Sequence, residues 1–183
     1  MITKTRLTYR NYQRLPEWDP YEHEMIDGEE FVSPSPKWIH QRLAQRMGEL
    51  LGQFVSERRL GQIVHPVDLY YDEENYVSPD LSFWTSEQVP LALEAERLEF
   101  APPLVVEVLS KSSVKWDRED KRGFYQRFGV KEYWIVDPFE QTIEVIDLTT
   151  GEFMMDDPAA SKVLSGFSVS WAALFAPDVS RVT

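Results

Sequence analysis

The 183-residue sequence lacks cysteine entirely. This absence excludes disulfide bonds, thiolate metal ligands and a cysteine nucleophile, and it is consistent with a reducing compartment. Long apolar runs are also missing, because none approaches the roughly 18 residues that a membrane span requires. The first ten residues lack the apolar region of a signal peptide. We therefore expect a soluble cytoplasmic protein with no membrane partner.

An excess of positive charge is lacking too, because the formal net charge is −12 at pH 7. A uniformly acidic surface repels phosphates, which argues against a nucleic-acid partner. The charge is uneven, however. Residues 111–131 hold seven lysines and arginines against three acids, whereas residues 60–110 hold one arginine against ten acids. The basic stretch is either a nucleic-acid face or an ordinary solvated helix face, and charge alone favours the second.

The residues that are present suffice for one compact domain over positions 1–183. Hydrophobic residues make up 43% of the chain and aromatics 13%, which predicts a substantial core and argues against global disorder. We divide this domain into an N-terminal hairpin at about 20–36, a core at about 37–150, and a C-terminal strand with a short helix at 160–177.

Apolar periodicity and turn-forming residues predict an alternating order of strands and helices. Asp27-Gly28 indicates a tight hairpin turn, and Gly129 is typical of the residue just past a helix end. A buried strand, a helix and a second buried strand in succession predict a right-handed crossover, hence a mixed α/β sheet. The predicted elements are strands at 61–71, 76–84, 104–109 and 133–136, an edge strand at 142–148, helices at 38–55 and from between 112 and 117 to 128, and a strand with a short helix within 163–175.

Glu107 interrupts an apolar strand. It lies within LVVEVL at residues 104–109, where a strand buried on both faces should carry apolar side chains. Burying an ionised carboxylate is unfavourable unless the group is paired, hydrogen-bonded or bound to a metal. Glu107 is therefore either a structural acid, in an ion pair or with a raised pKa, or a functional carboxylate.

Two other charged residues depart from their local pattern. Asp80 lies in the strand-like segment VSPDLSF, where Pro79 cannot donate to a sheet ladder and so indicates a strand edge, start or bulge. Lys121 shares a helix stripe with aromatic residues such as Phe124, so it should point towards the sheet. Alone, Asp80 is better explained as an acid that ends a turn. Lys121 could equally snorkel outward or pair with Asp117.

Together, Asp80, Glu107 and Lys121 form a stronger pattern than any one of them. Two carboxylates on neighbouring strands offer oxygen ligands to Mg²⁺ or Mn²⁺. Such a cation can polarise a phosphate and acidify a bound water. A lysine beside it can orient the nucleophile and stabilise charge on the phosphorus oxygens. This chemistry needs neither cysteine nor histidine, and no organic cofactor.

The order of these residues resembles the PD-(D/E)xK nuclease superfamily, and more closely its branch of Uma-type restriction endonucleases. The resemblance covers about residues 9–177. It rests on HEMIDGEEF followed by SPSP, on VSPDLSF, on PPLVVEVLS, on WDREDKRGFYQRFGVKEYWIVDP and on GFSVSWAALF. It implies an α/β fold with a restriction-endonuclease-like αβββαβ core, a mixed sheet and an added N-terminal β-hairpin.

The resemblance also implies roles for single residues. Asp80 matches the superfamily aspartate, and Glu107 matches its second acidic ligand. The superfamily lysine is expected two residues after that acid, where this sequence has Leu109. In this branch the lysine is displaced to the following helix, which maps it to Lys121.

Further residues have auxiliary roles by the same resemblance. Glu24 and Glu29 match acidic positions of the family's hairpin. Either could supply a third metal ligand, although a surface position is favoured for Glu29. His40 belongs to the long helix, where a lone histidine is more often a hydrogen-bonded structural residue than a base. Tyr125 is assigned mainly to packing.

The leading hypothesis is a Mg²⁺- or Mn²⁺-dependent endonuclease acting on DNA, with Lys111, Lys115 and Arg118 as nucleic-acid-binding residues. Cutting both strands would require a homodimer, because one site cleaves one strand. The alternative is a catalytically inert module of the same fold that binds nucleic acid or protein; the net charge favours it. A two-carboxylate glycosidase ranks last because it leaves Lys121 without a role.

Overall fold

The computed structural model describes residues 8–9 and 21–176. Residues 20 and 177, at the outer ends of the predicted hairpin and C-terminal segment, lie outside the described residues, as does nearly all of the first ten. The strands are β1 (Tyr21–Ile26), β2 (Glu29–Pro34), β3 (Gly61–Val64), β4 (Leu69–Asp72), β5 (Asn75–Val77), β6 (Leu81–Thr85), β7 (Leu104–Val108), β8 (Glu132–Asp137), β9 (Thr142–Asp147), β10 (Phe153–Met154), β11 (Ala159–Ala160) and β12 (Ser168–Val169). The helices are α1 (Trp38–Glu57), α2 (Gln88–Glu94), a π-helix (Trp116–Lys121), α3 (Arg122–Phe128) and α4 (Trp171–Phe175).

The central sheet has the strand order β10-β9-β8-β7-β6-β3. β7 and β8 are parallel, with Val108 opposite Val136, whereas β6 and β9 pair with them in the antiparallel sense. The helical segment between β7 and β8 is the crossover that a parallel pair requires. The predicted mixed α/β sheet is therefore confirmed.

A second sheet, in the order β2-β1-β5-β4, contains the predicted hairpin. The hairpin turns at Asp27 and Gly28, which have φ values of 53° and 74°. This left-handed backbone suits a two-residue turn with Gly at its second position. Met25 of β1 pairs with Tyr76 of β5, so the hairpin is part of a four-stranded sheet rather than a separate extension.

The predicted strands at 61–71 and 76–84 are each divided between the two sheets. β3 and β6 belong to the central sheet, whereas β4 and β5 belong to the second. Pro66 and Pro79 lie in the two breaks. Because proline has no backbone N–H to give to a ladder, the chain leaves one sheet near it and enters the other.

Hydrophobic clusters cover both faces of the central sheet. Helix α1 contributes Leu43, Met47 and Leu51 to a cluster that includes Val106 and Val108 of β7. Helix α3 packs with the opposite set of β7 side chains, which includes Val105. Because side chains alternate across a strand, Glu107 lies on the same face as Val105, under the helical segment that follows β7.

Other elements also differ from the sequence prediction. Helix α2 was not predicted; it is a short helix of seven residues, and none of them is fully buried. Strand β9 is not an edge strand, because the two-residue β10 pairs beyond it. The helix after β7 begins as a π-helix before it becomes α3. Its predicted end is confirmed, because Gly129 follows α3 with φ 99°.

No helix among the described residues is long and apolar enough to cross a membrane.

Candidate active site

Asp80 and Glu107 lie at the adjoining ends of two neighbouring strands. β6 and β7 are antiparallel with Leu81 opposite Val106; Asp80 directly precedes Leu81, and Glu107 directly follows Val106. Both side chains line one cavity, as expected for two acids at the adjoining ends of neighbouring strands.

Glu107 is only 3% exposed. Its Oε1 accepts hydrogen bonds from Lys121 Nζ at 2.8 Å and from the Tyr125 hydroxyl at 2.5 Å. The two donors are one helical turn apart and so lie on the same side of the segment that follows β7. Tyr125 therefore does more than pack, because it fixes one oxygen of a site carboxylate.

Lys121 is 4% exposed, which confirms that it points towards the sheet. Its Nζ lies 2.8 Å from Glu107 Oε1, 2.8 Å from Glu24 Oε1 and 3.5 Å from Asp117 Oδ1. The pairing with Asp117 that the sequence left open thus occurs together with the contact to Glu107. Lys121 is the last residue of the π-helix, a rare helix type that is frequent at functional sites.

Glu24 reaches this cluster from β1 of the second sheet. Its Oε1 accepts a hydrogen bond from the Ser78 amide at 3.0 Å, and its Oε2 accepts one from Trp116 Nε1 at 2.9 Å. Trp116 in turn stacks on Phe31 of β2, with the ring centroids 5.0 Å apart. The hairpin is therefore attached to the start of the π-helix, and Glu24 is held by donors on both sides.

Asp80 is held by a backbone amide and a histidine. Its Oδ2 accepts a hydrogen bond from the Val108 amide at 2.7 Å and lies 3.2 Å from His40 Nε2. Asp80 thus bonds an amide of the neighbouring strand rather than one of its own turn. His40 has the hydrogen-bonded position favoured for it, although its buried Nδ1 has no partner among the described residues.

The acids surround a cavity of about 60 Å³. This is room for several waters, because one water needs roughly 10–15 Å³. The carboxylates that line the cavity are those of Glu22, Glu24, Asp80, Glu107 and Asp117, and Lys121 and His40 line it too. Glu22 and Asp117 were not predicted as site acids. Their spacing in the sequence could have identified them. Glu22 lies two residues before Glu24 on a strand, and Asp117 lies four residues before Lys121 on a helix, so each shares a face with a predicted site residue.

Burial and repulsion by neighbouring acids favour protonation of Glu107 and Asp117. Burial raises the pKa of Glu107 well above its ordinary value against the effect of Lys121, and the other site acids add to the increase. Burial likewise raises the pKa of Asp117 to about 6, while Lys121 and a hydrogen bond from Ser113 oppose the increase. The cluster therefore carries more carboxylates than its own cations can neutralise.

The pKa values of the two bases of the site, Lys121 and His40, are raised, which favours their charged forms. Burial works against the charge of Lys121, but Glu107 and the other two carboxylates outweigh it and raise the pKa of the ammonium well above its usual value. For His40, burial is similarly outweighed by the hydrogen bond and charge of Asp80, so the pKa of His40 is raised.

The carboxylates that line the cavity are the type of ligand that hard divalent cations prefer. The lining carboxylates offer oxygen ligands only, which Mg²⁺ and Mn²⁺ prefer, and the cavity has space for the waters that Mg²⁺ retains. Within residues 8–9 and 21–176, however, no three acidic or histidine side chains converge in a ligand geometry ready for a metal. The ammonium of Lys121 lies among three of the carboxylates, so cation binding requires side-chain rearrangement.

The other predicted residues lie outside this cluster. Glu29 is exposed at the start of β2, which agrees with the surface position favoured for it. Lys111 and Lys115 are exposed in the loop after β7. Arg118 instead contacts two buried acids: it donates to Glu144 Oε2 at 2.6 Å and to Asp137 Oδ2 at 3.2 Å. Arg118 therefore forms ion pairs within the protein, and its nucleic-acid contact stays a prediction.

Comparisons with known proteins agree with this architecture. Residues 9–170 match the Uma2 family model, which is described as "Putative restriction endonuclease". The "Uncharacterized protein sll1609" of Synechocystis sp. is 28% identical over 146 residues, covering 79% of this chain and 82% of the relative. A crystal structure of "a putative nuclease belonging to DUF820" from Anabaena variabilis superposes with a TM-score of 0.77 at 21% identity, covering 92% of this chain and 97% of the other. That likeness supports the nuclease-like fold.

Proposed function

Because this chain belongs to the Uma2 family, described as "Putative restriction endonuclease", we propose that it is a Mg²⁺- or Mn²⁺-dependent endonuclease that hydrolyses phosphodiester bonds of DNA. The observation that carries the proposal is the meeting of Lys121 with Glu107 and Glu24 at 2.8 Å, at a cavity that Asp80 also lines. Acids from two sheets and an amine from the intervening helix share one polar space.

Asp80 and Glu107 would hold the divalent cation, with Glu24 as a third carboxylate. When bound, such a cation polarises the scissile phosphate and makes water a better nucleophile at neutral pH. The excess of buried carboxylates favours its uptake, because a cation can replace the protons that burial otherwise retains on Glu107 and Asp117.

Lys121 would act on the phosphate through its ammonium group. Its raised pKa keeps Nζ protonated, so this atom can donate to a phosphate oxygen and stabilise the charge that grows there. It cannot serve as a general base in that form. The Tyr125 hydroxyl and the Lys121 ammonium meet on the same oxygen of Glu107, which orients this carboxylate towards the cavity.

His40 would position Asp80. Its Nε2 donates to Asp80 Oδ2, and the Val108 amide donates to the same oxygen, so both contacts restrict rotation of the carboxylate. These fixed contacts pre-organise the acid at little entropic cost during the reaction. A DNA duplex would be cut on both strands by two copies of the chain, each supplying one site.

The test is a Mn²⁺-supported cleavage assay on single-stranded, duplex and branched DNA. The wild-type protein should cleave at least one substrate, and Asp80→Ala should be inactive. Asp120→Asn is a matched control, because Asp120 is an exposed acid on the same π-helix as Lys121. No cleavage of any substrate by well-folded wild type, with either metal, would sink the proposal.

The inert nuclease-fold module remains the second candidate. Two observations favour it. Lys121 is already paired with three carboxylates, and Arg118 is paired with buried acids, so fewer positively charged side chains remain for a phosphate. Isothermal titration separates the two functions. The endonuclease should bind Mg²⁺ or Mn²⁺ and lose this binding in Asp80→Ala, whereas the inert module should show no binding in wild type.

A further inference from the structure

An aromatic side chain and a lysine lie close together at the edge of the sheet where β7 and β8 end. β7 and β8 are parallel, so the segments that follow them emerge at the same edge of the sheet. Ser110 and Ser113, in the loop after β7, line the acidic cavity. Lys111 of this loop places its Nζ 5.9 Å from the centroid of the Phe139 ring, in the turn after β8. We name Lys111 and Phe139 the rim pair.

Phe139 is held outward by its own turn. Its side chain is 49% exposed. The backbone amides of Phe139 and Glu140 donate to Asp137 Oδ1 at 2.8 and 3.1 Å, and Arg118 donates to the other oxygen of Asp137. The backbone of this turn is therefore held by hydrogen bonds to a buried acid, while the Phe139 ring is exposed.

The loop opposite the ring is chemically suited to phosphates. Residues 109–115 contain two lysines and three serines but no acid, in a chain of net charge −12. Ser110 and Ser113 bond each other reciprocally, since each backbone amide donates to the other's hydroxyl oxygen at 3.1 Å. Lysine amines and serine hydroxyls are common phosphate contacts. The loop is thus an ordered, acid-free border of an acidic cavity.

We propose that the rim pair binds single-stranded or unpaired DNA, with a base stacked on Phe139 and the adjoining phosphates held by Lys111, Lys115 and the loop serines. The proposal rests on the proposed nuclease function and names its substrate class. An aromatic face can stack on a base only where that base is unstacked from its neighbours. Two exposed lysines on an acidic chain are also a small footprint for duplex DNA, whose binding depends on many phosphate contacts.

Binding should be measured without cleavage, by fluorescence anisotropy of the full chain in EDTA. The probes are a labelled oligothymidylate of about 12 nucleotides, within the usual span of single-strand sites, and a blunt duplex of equal length. The variants are Phe139→Leu, which keeps apolar volume but removes the ring, and Phe139→Tyr, which keeps the ring. Phe153→Ala is the matched control, because Phe153 is 48% exposed and pairs with Ile146 near the other end of β9.

We expect tighter binding of the single strand than of the duplex. Phe139→Leu should weaken it by roughly 5- to 100-fold, the usual effect of removing one stacking ring. Phe139→Tyr and Phe153→Ala should stay within about twofold of wild type, since each keeps the rim ring. A preference for duplex, no wild-type binding, or equal losses in Phe139→Leu and Phe153→Ala would overturn the proposal.

The outcome separates the two proposals. Single-strand binding that depends on Phe139, without cleavage in Mn²⁺, would support the rim and overturn the nuclease. Cleavage with no dependence of binding on Phe139 would support the nuclease and overturn the rim.

Discussion

The Lys121 ammonium lies 2.8 Å from Oε1 of Glu24, a carboxylate that belongs to the hairpin before α1 and to a different sheet from Glu107. This contact joins the second sheet to the crossover helix at the point where the acids are densest. It also means that Lys121 neutralises more than one buried acid, so its removal should affect stability as well as any chemistry.

Replacing Lys121 with Met should abolish cleavage and destabilise the metal-free protein. Breaking a buried ion pair by removing one partner typically costs about 3–5 kcal/mol, because the remaining charges stay buried. Urea unfolding at pH 8 in EDTA measures this loss. Lys115→Met is the control, since Lys115 is an exposed lysine just before the π-helix. Equal stability of the two variants would contradict the central position of Lys121.

Glu107→Gln should weaken metal binding and leave the metal-free protein as stable as wild type, or more stable. The amide oxygen can still accept from Lys121 and Tyr125, while the substitution removes one charge from a crowded set of acids. Calorimetric titration with Mn²⁺ tests the predicted loss of metal binding, and thermal unfolding in EDTA tests the predicted stability. A large loss of stability in EDTA would identify Glu107 as a structural ion pair instead.

The metal-free protein should lose stability as the pH rises through the titration of Asp117. Its pKa is raised from 3.8 to about 6, so the folded state binds the proton more tightly than the unfolded state between these values. The stabilisation that comes from protonated Asp117 is fully present below about pH 4, and it is lost as the pH rises through about 6. The loss is at most about 3 kcal/mol, at 1.4 kcal/mol per pKa unit.

Asp117→Asn should flatten this part of the stability profile. Urea unfolding between pH 4 and 8 in EDTA compares the variant with wild type, and Mn²⁺ should reduce the difference by replacing the proton. Profiles of equal slope in the two proteins would contradict the raised pKa of Asp117.

Arg118 and Lys111 should respond differently to substitution. Arg118→Met should lower the free energy of unfolding by roughly 1–3 kcal/mol, because it leaves Asp137 and Glu144 buried without their partly exposed cation. Lys111→Glu should leave stability near wild type, weaken DNA affinity, and change the slope of that affinity against salt. Unfolding curves and binding at several salt concentrations separate these outcomes. A stable Arg118→Met with weakened DNA binding would support the nucleic-acid contact predicted for Arg118.

The local sequence pattern was sufficient to predict site residues where a charged residue interrupts a regular spacing of apolar residues. Glu107 and Lys121 could be predicted in this way, because a strand or helix reveals which face a residue occupies. Arg118 could not, since its acidic partners lie on β8 and β9 and no local period links them. The division of two predicted strands between sheets could not be predicted either. The alternation of apolar and polar residues continues across each break, and Pro79 indicated only a strand edge, start or bulge. The exposure of Phe139 could not be predicted, because the exposure of a residue in a turn depends on how the surrounding chain packs.

The amide of Ser78 donates to Glu24, and this bond closes only when the hairpin is docked against β5. Transient opening of the hairpin would expose that amide to solvent and separate Glu24 from Lys121 in the same event. Hydrogen–deuterium exchange at the Ser78 amide therefore reports how often the acidic cluster is complete.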